Sequence, residues 1–322
     1  MNEASPKHSC AVQPGPRHST IRLPVEAPEG IRTIYEYFLD RFPRIGPEIW
    51  ERRFRETKVL SRHGPIELST PYEPGLEVHY YREVDREPPV RRDYQIVFKN
   101  DEILVVDKPP HLPVIPGGRW VRNSLLLILE EDLGESGLAP LHRIDRLSSG
   151  LLIFSRRPET RSLYSRLFQP TPLLRKEYLV VCELHRRSFS KHLDIEDHIR
   201  RSPSAWYRQE IVSGAPINAR CEIHLADQDG HLGLYRVRSL RGRKHQLRVQ
   251  LAHAGLPILG DPLYGSRPRN DPEDLSIRMF LDAHRIEIGD FALLQGRTWE
   301  SREDPGSFFR QALRVGTESG ET

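Results

Sequence analysis

LHRIDRLSSGLLIFSR, Leu141 to Arg156, sets one carboxylate among basic side chains just before an apolar run. Arg143 and Arg146 flank Asp145, and Ser148-Ser149-Gly150 follows. The glycine lets the backbone turn sharply or approach a neighbour closely. Leu151 to Phe154 then reads as a buried strand. Guanidinium groups favour the ionised form of a nearby carboxyl. An aspartate so placed is a poor general acid at neutral pH and a better nucleophile or base. On spacing alone, a plain loop ion pair is the commoner meaning of such a cluster.

Outward from this stretch the chain is rich in strands. Apolar runs recur at Ile103 to Val106, Tyr178 to Cys182, Glu222 to Leu225, Gly233 to Ser239 and Gln246 to Leu251. Helices are expected at 121–132 and at 158–168, the second opened by Pro158. Strands outnumber helices and do not alternate with them regularly. That pattern predicts an α+β domain with a mixed, mainly antiparallel sheet, spanning 94–300. Ahead of it, Ile31, Ile34, Tyr35, Phe38 and Phe42 fall at helical spacing. Pro47 suits the first turn of a second helix, and short strands are expected near 57–60, 65–68 and 76–81. Residues 29–83 thus form a small unit, joined to the large one by the charged, proline-bearing linker 84–93. Residues 1–28 and 301–322 read as tails, the first of them flexible.

The 322 residues carry a formal charge of only +3, but arginines cluster locally. Arg236, Arg238, Arg241, Arg243 and Arg248 crowd around Gly242, and guanidinium forks suit phosphates. Cys10, Cys182 and Cys221 are too scattered for a metal knuckle or a disulfide framework, so a reducing compartment is expected. No apolar run is long enough for a signal core or a membrane span, which points to a soluble, cytoplasmic protein. Walker-type loops, GxGxxG after a strand, HExxH and GxSxG are all missing.

A second cluster is RGRKHQLRVQLAHAGLPILGDPLYG, Arg241 to Gly265. Gln246, Arg248 and Gln250 alternate with Leu247, Val249 and Leu251, a period-two pattern that predicts a strand. Arg248 then needs an anion, and Asp145 is the expected partner. In RKEYLVV, Arg175 to Val181, Tyr178 can stack on a base, though on these residues alone a core or rim tyrosine is the commoner meaning.

With these motifs in place, residues 94–290 resemble the RluA family of pseudouridine synthases. VVDKPPHLPV (Val105 to Val114), LHRIDRLSSGLLIFSR, RKEYLVV and GRKHQLRVQLAHAGLPILGDPLYG match its four motifs in order. The chain departs from the family pattern at Ser148 for Thr, Gln250 for His, Asp282 for His, and at Pro110-His111. The 30–83 unit loosely resembles the α-L-type RNA-binding domain that often precedes this fold.

The resemblance implies isomerisation of uridine to pseudouridine in RNA, with neither cofactor nor metal. Asp145 is then the nucleophile or base, Arg248 its electrostatic partner, and Tyr178 the residue that stacks on the target base. Arg143 fills the space the base vacates. Arg146, Lys108, Lys176, Arg243, His245 and Gln246 complete the substrate-binding set. Arg241 and Lys244 are further phosphate contacts. The expected substrate is 23S rRNA, with tRNA as the alternative, and the expected state is a monomer. A non-catalytic RNA-binding protein would tolerate loss of Asp145, Tyr178 or Arg248, and all three are present. A glycosidase-like hydrolase would need a second carboxylate, for which Asp261 is a candidate, but Gly-Asp-Pro reads as a turn.

Overall fold

The computed structural model describes residues 18–84, 86–169, 173–184, 191–205, 207–239, 242–266, 277–291, 294 and 296–318. The chain divides into two compact units. The first holds residues up to Pro88 together with 117–122, and the second holds the remainder.

In the first unit, α1 (Ile34–Arg41) starts at Thr33, whose hydroxyl accepts the Glu36 N–H while the Glu36 carboxylate accepts the Thr33 N–H. This reciprocal capping satisfies two donors that the first turn leaves free. Pro47 opens α2 (Pro47–Arg55) as expected. Four strands form one antiparallel sheet in the order β1 (His18–Arg22), β4 (Glu77–Tyr81), β2 (Val59–Ser61), β3 (Gly64–Pro65). Phe38, Trp50, Phe54, Val59 and Val78 fill its core. Strand β1 corrects the expected 1–28 tail. His18 to Arg22 pairs along its full length with β4, and Leu23 is buried. HSTIR holds a single apolar residue, Ile21, so it shows no apolar alternation that would announce a strand. Residues 1–17 lie outside the described residues.

The second unit is built on a ten-stranded sheet. The main path runs β10 (His192–Asp197), β13 (Ala219–Asp229), β14 (Leu232–Ser239), β9 (Leu174–Glu183), β15 (Leu281–Ile288), β8 (Ser149–Ser155), β6 (Ile103–Lys108), β5 (Gln95–Lys99). The short β7 (Ala139–Pro140) pairs with β8, and β16 (Arg297–Glu300) pairs with β15. Strands β11 (Ile199–Arg201) and β12 (Gln209–Ile211) form a separate hairpin. Among the described residues every pairing is antiparallel except β8 with β15, so the sheet is mixed and mainly antiparallel. That parallel seam explains Gly150. Its φ is +106°, and a Cβ there would lie 2.5 Å from the Ala283 backbone. Only glycine lets the loop carrying Asp145 enter β8 so close to β15.

Helix α3 (Leu125–Leu133) begins later than expected and ends on the left-handed Gly134. Helix α4 (Pro158–Ser165) is followed by a 3₁₀ turn, Arg166–Phe168. Two expectations are overturned. The 301–322 tail holds a helix, α6 (Pro305–Glu318). Phe308, Phe309 and Ala312 pack it against Leu179, Val181, Leu234 and Phe280, and Asp304 accepts the Ser307 N–H at its start. The expected strand at 246–251 is also a helix, α5 (Gln246–His253). All six residues Gln246 to Leu251 are buried, so apolar and polar side chains alternate without marking an outside face. Leu247 and Leu251, one helical turn apart, enter the same core cluster, while Val249 enters another.

Candidate active site

Asp145 lies on the loop just before β8. The Ser148 N–H closes a turn on the Asp145 carbonyl, and Ser148, Ser149 and Gly150 are buried. Lys108, at the end of β6, is fully buried. Its ammonium donates to the carbonyls of Pro109, Arg146 and Ser148 at 2.9, 3.2 and 2.6 Å. Burial pushes its pKa down to about 7 against the pull of Asp145. The expectation that Lys108 binds substrate is therefore corrected. Its donors are spent on the backbone around Asp145, and its side chain is fully buried.

Helix α5 brings Arg248 across to the same point. Its Nη1 donates to Asp145 Oδ2 at 2.9 Å. Nε and Nη2 donate to the two oxygens of Asp261 at 2.7 and 2.8 Å. Asp261 also accepts the Leu263 and Tyr264 N–H groups, so it is at once the expected turn and the second anion on Arg248. Pattern reading found the turn but not the pairing, because the Gly-Asp-Pro signal concerns backbone only. The Arg248 side chain is 4% exposed and that of Asp145 27%. Arg248 is thus a buried cation shared by a buried and a reachable carboxylate. Burial alone would raise the Asp145 pKa. The charge of Arg248 and its hydrogen bond outweigh it and hold the carboxyl below its usual range.

Around Asp145 opens a cavity of about 460 Å³. Arg143, Arg146, Lys176, Tyr178, Arg243, His245, Gln246 and Arg248 all line it, as does Lys244. Arg241 lies outside the described residues. Tyr178 is half-buried on β9, while Arg143 and Arg243 are exposed at the rim. Gln246 is buried and tied down, donating to the Arg220 carbonyl and accepting the Arg243 N–H. It shapes the 243–246 turn from within, rather than offering its amide to a ligand. His142 is also committed. Its Nε2 accepts the Ile153 N–H, its ring stacks on Phe168 at 4.5 Å, and burial drives its pKa down to about 3. Phe168, Ile115 and Ile144 supply an apolar wall that pattern reading did not identify. A concave site with an apolar wall, an accessible ionised carboxylate and a basic rim suits a flat, polyanionic ligand.

Residues 102–253 match the family model described as RNA pseudouridylate synthase. This chain carries a pseudouridine synthase domain. The domain is similar to pseudouridylate synthase RPUSD2 of Homo sapiens, 34% identical over 185 residues, covering 56% of this chain and 32% of that protein. A Synechocystis protein named as an uncharacterized RNA pseudouridine synthase is 28% identical, over 71% of this chain and 78% of its own. The mitochondrial tRNA pseudouridine(32) synthase of Saccharomyces cerevisiae is 28% identical, over 78% of this chain and 54% of its own. The matching segment therefore spans about a third of the human relative and about half of the yeast one. Among solved structures, human RNA pseudouridylate synthase domain containing 1 superposes with a TM-score of 0.56 at 21% identity, covering 69% of this chain and 89% of that one. The likeness to that structure shows the fold, and with it the α+β assignment of the domain. Among the described residues no helix is long and apolar enough to cross a membrane.

Proposed function

We propose that the protein is an RNA pseudouridine synthase, an isomerase in which Asp145 acts on the ribose of a uridine turned out of its stack. One observation carries the reading. Asp145 is held ionised by a buried arginine yet keeps 27% of its side chain open to a cavity with a basic rim. The reaction breaks the bond from uracil N1 to ribose C1′ and forms one from C5 to C1′. The C5 proton leaves and N1 gains one, so no oxidant, reductant or metal is required. Asp145 begins it by attacking C1′ or by removing the 2′ proton; both routes need the carboxylate ionised. Arg248 fixes the charge and orientation of Asp145. Tyr178 stacks on the uracil and assists the final proton loss. Arg143 occupies the space left by the extruded base. Arg146, Lys176, Arg243 and Lys244 meet phosphates and give binding its salt dependence.

The substrate is a structured RNA, with 23S rRNA as the first expectation and a cytoplasmic monomer as the working form. The yeast relative, a tRNA pseudouridine(32) synthase, favours tRNA as the second reading. Cellular RNA bearing tritium at uridine C5, divided into ribosomal and transfer fractions, tests both. The wild type should release tritium to water from one fraction, and Asp145→Asn from neither. Tight binding without release from any fraction would turn the assignment to a non-catalytic RNA-binding protein.

A further inference from the structure

Arg248 holds only one oxygen of Asp145, Oδ2. The other, Oδ1, faces His245 Nε2 at 3.8 Å. That distance is too long for a hydrogen bond in the unloaded site. It is the range from which such contacts tighten when substrate closes the pocket. The remaining nitrogen of the ring, Nδ1, lies 3.0 Å from the Tyr264 hydroxyl. That hydroxyl accepts the Gln209 backbone N–H at 2.7 Å. A backbone amide can only donate, so the phenol oxygen is already an acceptor there. Its own proton is then directed to His245 Nδ1, which leaves the imidazole proton on Nε2, aimed at Asp145.

We propose that His245 is a positioning residue for Asp145, and that Tyr264 selects the tautomer that lets it act. The inference rests on the pseudouridine synthase reading only for its kinetic readout; the tautomer is a property of the protein alone. In this arrangement Arg248 fixes one carboxylate oxygen and the His245 Nε2–H takes up the other as the pocket closes, so the plane of the carboxylate is set when the ribose is in place.

A neutral donor suits this place. A second full cation beside Arg248 would hold the carboxylate too tightly for it to attack or to take a proton. Burial, set against Asp145 and reinforced by Arg248 and Lys244, brings the His245 pKa down to about 4, so the ring is uncharged at neutral pH. Its backbone is held for the task. His245 has φ +54° and is the residue from which α5 departs, so the ring is aimed by the helix start. Tyr264 is independently anchored, since its ring lies 5.2 Å from both the Arg208 and the Arg248 guanidinium groups.

Three full-length variants separate the parts. Tyr264→Phe keeps the ring and its cation contacts and removes only the hydroxyl. His245→Asn suits the left-handed backbone but is too short to present a donor at the Nε2 position. His245→Gln reaches that position with an amide N–H. Nitrogen-15 NMR of the chain with labelled histidine, assigned through His245→Asn, reads which ring nitrogen carries the proton. Tritium release under single-turnover conditions at saturating RNA reads the chemistry. The expected result is an Nε2–H imidazole in the wild type that becomes a mixture in Tyr264→Phe. The maximal rate should fall about tenfold in His245→Asn, as for loss of one hydrogen bond to a charged group, and by a smaller factor in Tyr264→Phe, which keeps part of the Nε2–H form, with half-saturating RNA unchanged in both. His245→Gln should recover most of the rate. An Nδ1–H imidazole in the wild type overturns the inference, whatever the rates. Unchanged maximal rates in both Tyr264→Phe and His245→Asn overturn it as well. No release by the wild type from any RNA instead defeats the proposed reaction, and the tautomer then decides the inference alone.

Discussion

Asp145 and Asp282 belong to the same unit, and each reaches the Ser148–Gly150 turn, yet their charge is governed in opposite ways. Asp145 meets a buried guanidinium and is held below the usual carboxylate range. Asp282, on β15, is wholly buried and accepts only hydroxyls, from Ser149 at 2.6 Å and Ser301 at 2.7 Å. Burial pushes its pKa up to about 6, against those hydrogen bonds. Two hydroxyls do not offset the desolvation of a carboxylate; one arginine in contact does. The carboxylate that stays ionised and reachable is thus the one that meets the arginine, and its neighbour behind the loop is a buried strut that keeps its proton to higher pH.

The largest expected effect is on Asp145 itself. Asp145→Asn should slow tritium release by at least about 10²-fold, the scale of a group that handles a proton in the transition state. The fold should survive, with circular dichroism unchanged. Arg248→Met attacks the cause of the contrast. It strands Asp145 and Asp261 without their cation, so the unfolding free energy from urea titration should drop by about 3–5 kcal/mol. If stability holds, the arginine is not what separates the two aspartates.

Asp282→Asn tests the other side through pH. The folded-state pKa of Asp282 lies above its ordinary 3.8, so between about 4 and 6 the folded chain keeps a proton that the unfolded chain has lost. That contribution to stability is fully present at low pH and is lost as pH rises through that window. An asparagine has no such proton. The variant should therefore gain on the wild type between pH 4 and pH 7, by up to about 3 kcal/mol. Parallel melting curves at the two pH values would show no such component in the wild type, and Asp282 would then be an ordinary ionised carboxylate. The smallest effect is expected at Asp261→Asn. Losing one charged partner of Arg248 should cost about 2 kcal/mol of stability while Arg248 still holds Asp145, so release continues within about tenfold of wild type. Activity as low as that of Asp145→Asn would mean that the two anions on Arg248 cannot be told apart by role.

Much of this site was legible from residues near one another in sequence. The turn at Gly150, the strand after it, the α+β class and the need of Arg248 for an anion all follow from local patterns. The pairing with Asp145 was expected, and it forms although 103 positions separate the two residues. Lys108 was misread because a lysine in a motif looks like a ligand contact until burial is known. Helix α5 was misread because alternation carries information only when one face is wet, and here all of Gln246 to Leu251 is covered. Helix α6 was missed because its apolar residues, Phe308, Phe309, Ala312, Leu313 and Val315, are flanked on both sides by charged and polar residues that read as a tail.

The sequence by itself determined the chemical inventory: one aspartate among arginines, glycines where the chain must turn, and apolar runs enough for a large sheet. Tertiary structure alone decided which of these groups are charged and which are reachable. Asp145, Asp261 and Asp282 are the same residue in the chain. A carboxylate's pKa depends on the solvent it loses and the charges it meets, and both arise only when distant segments pack.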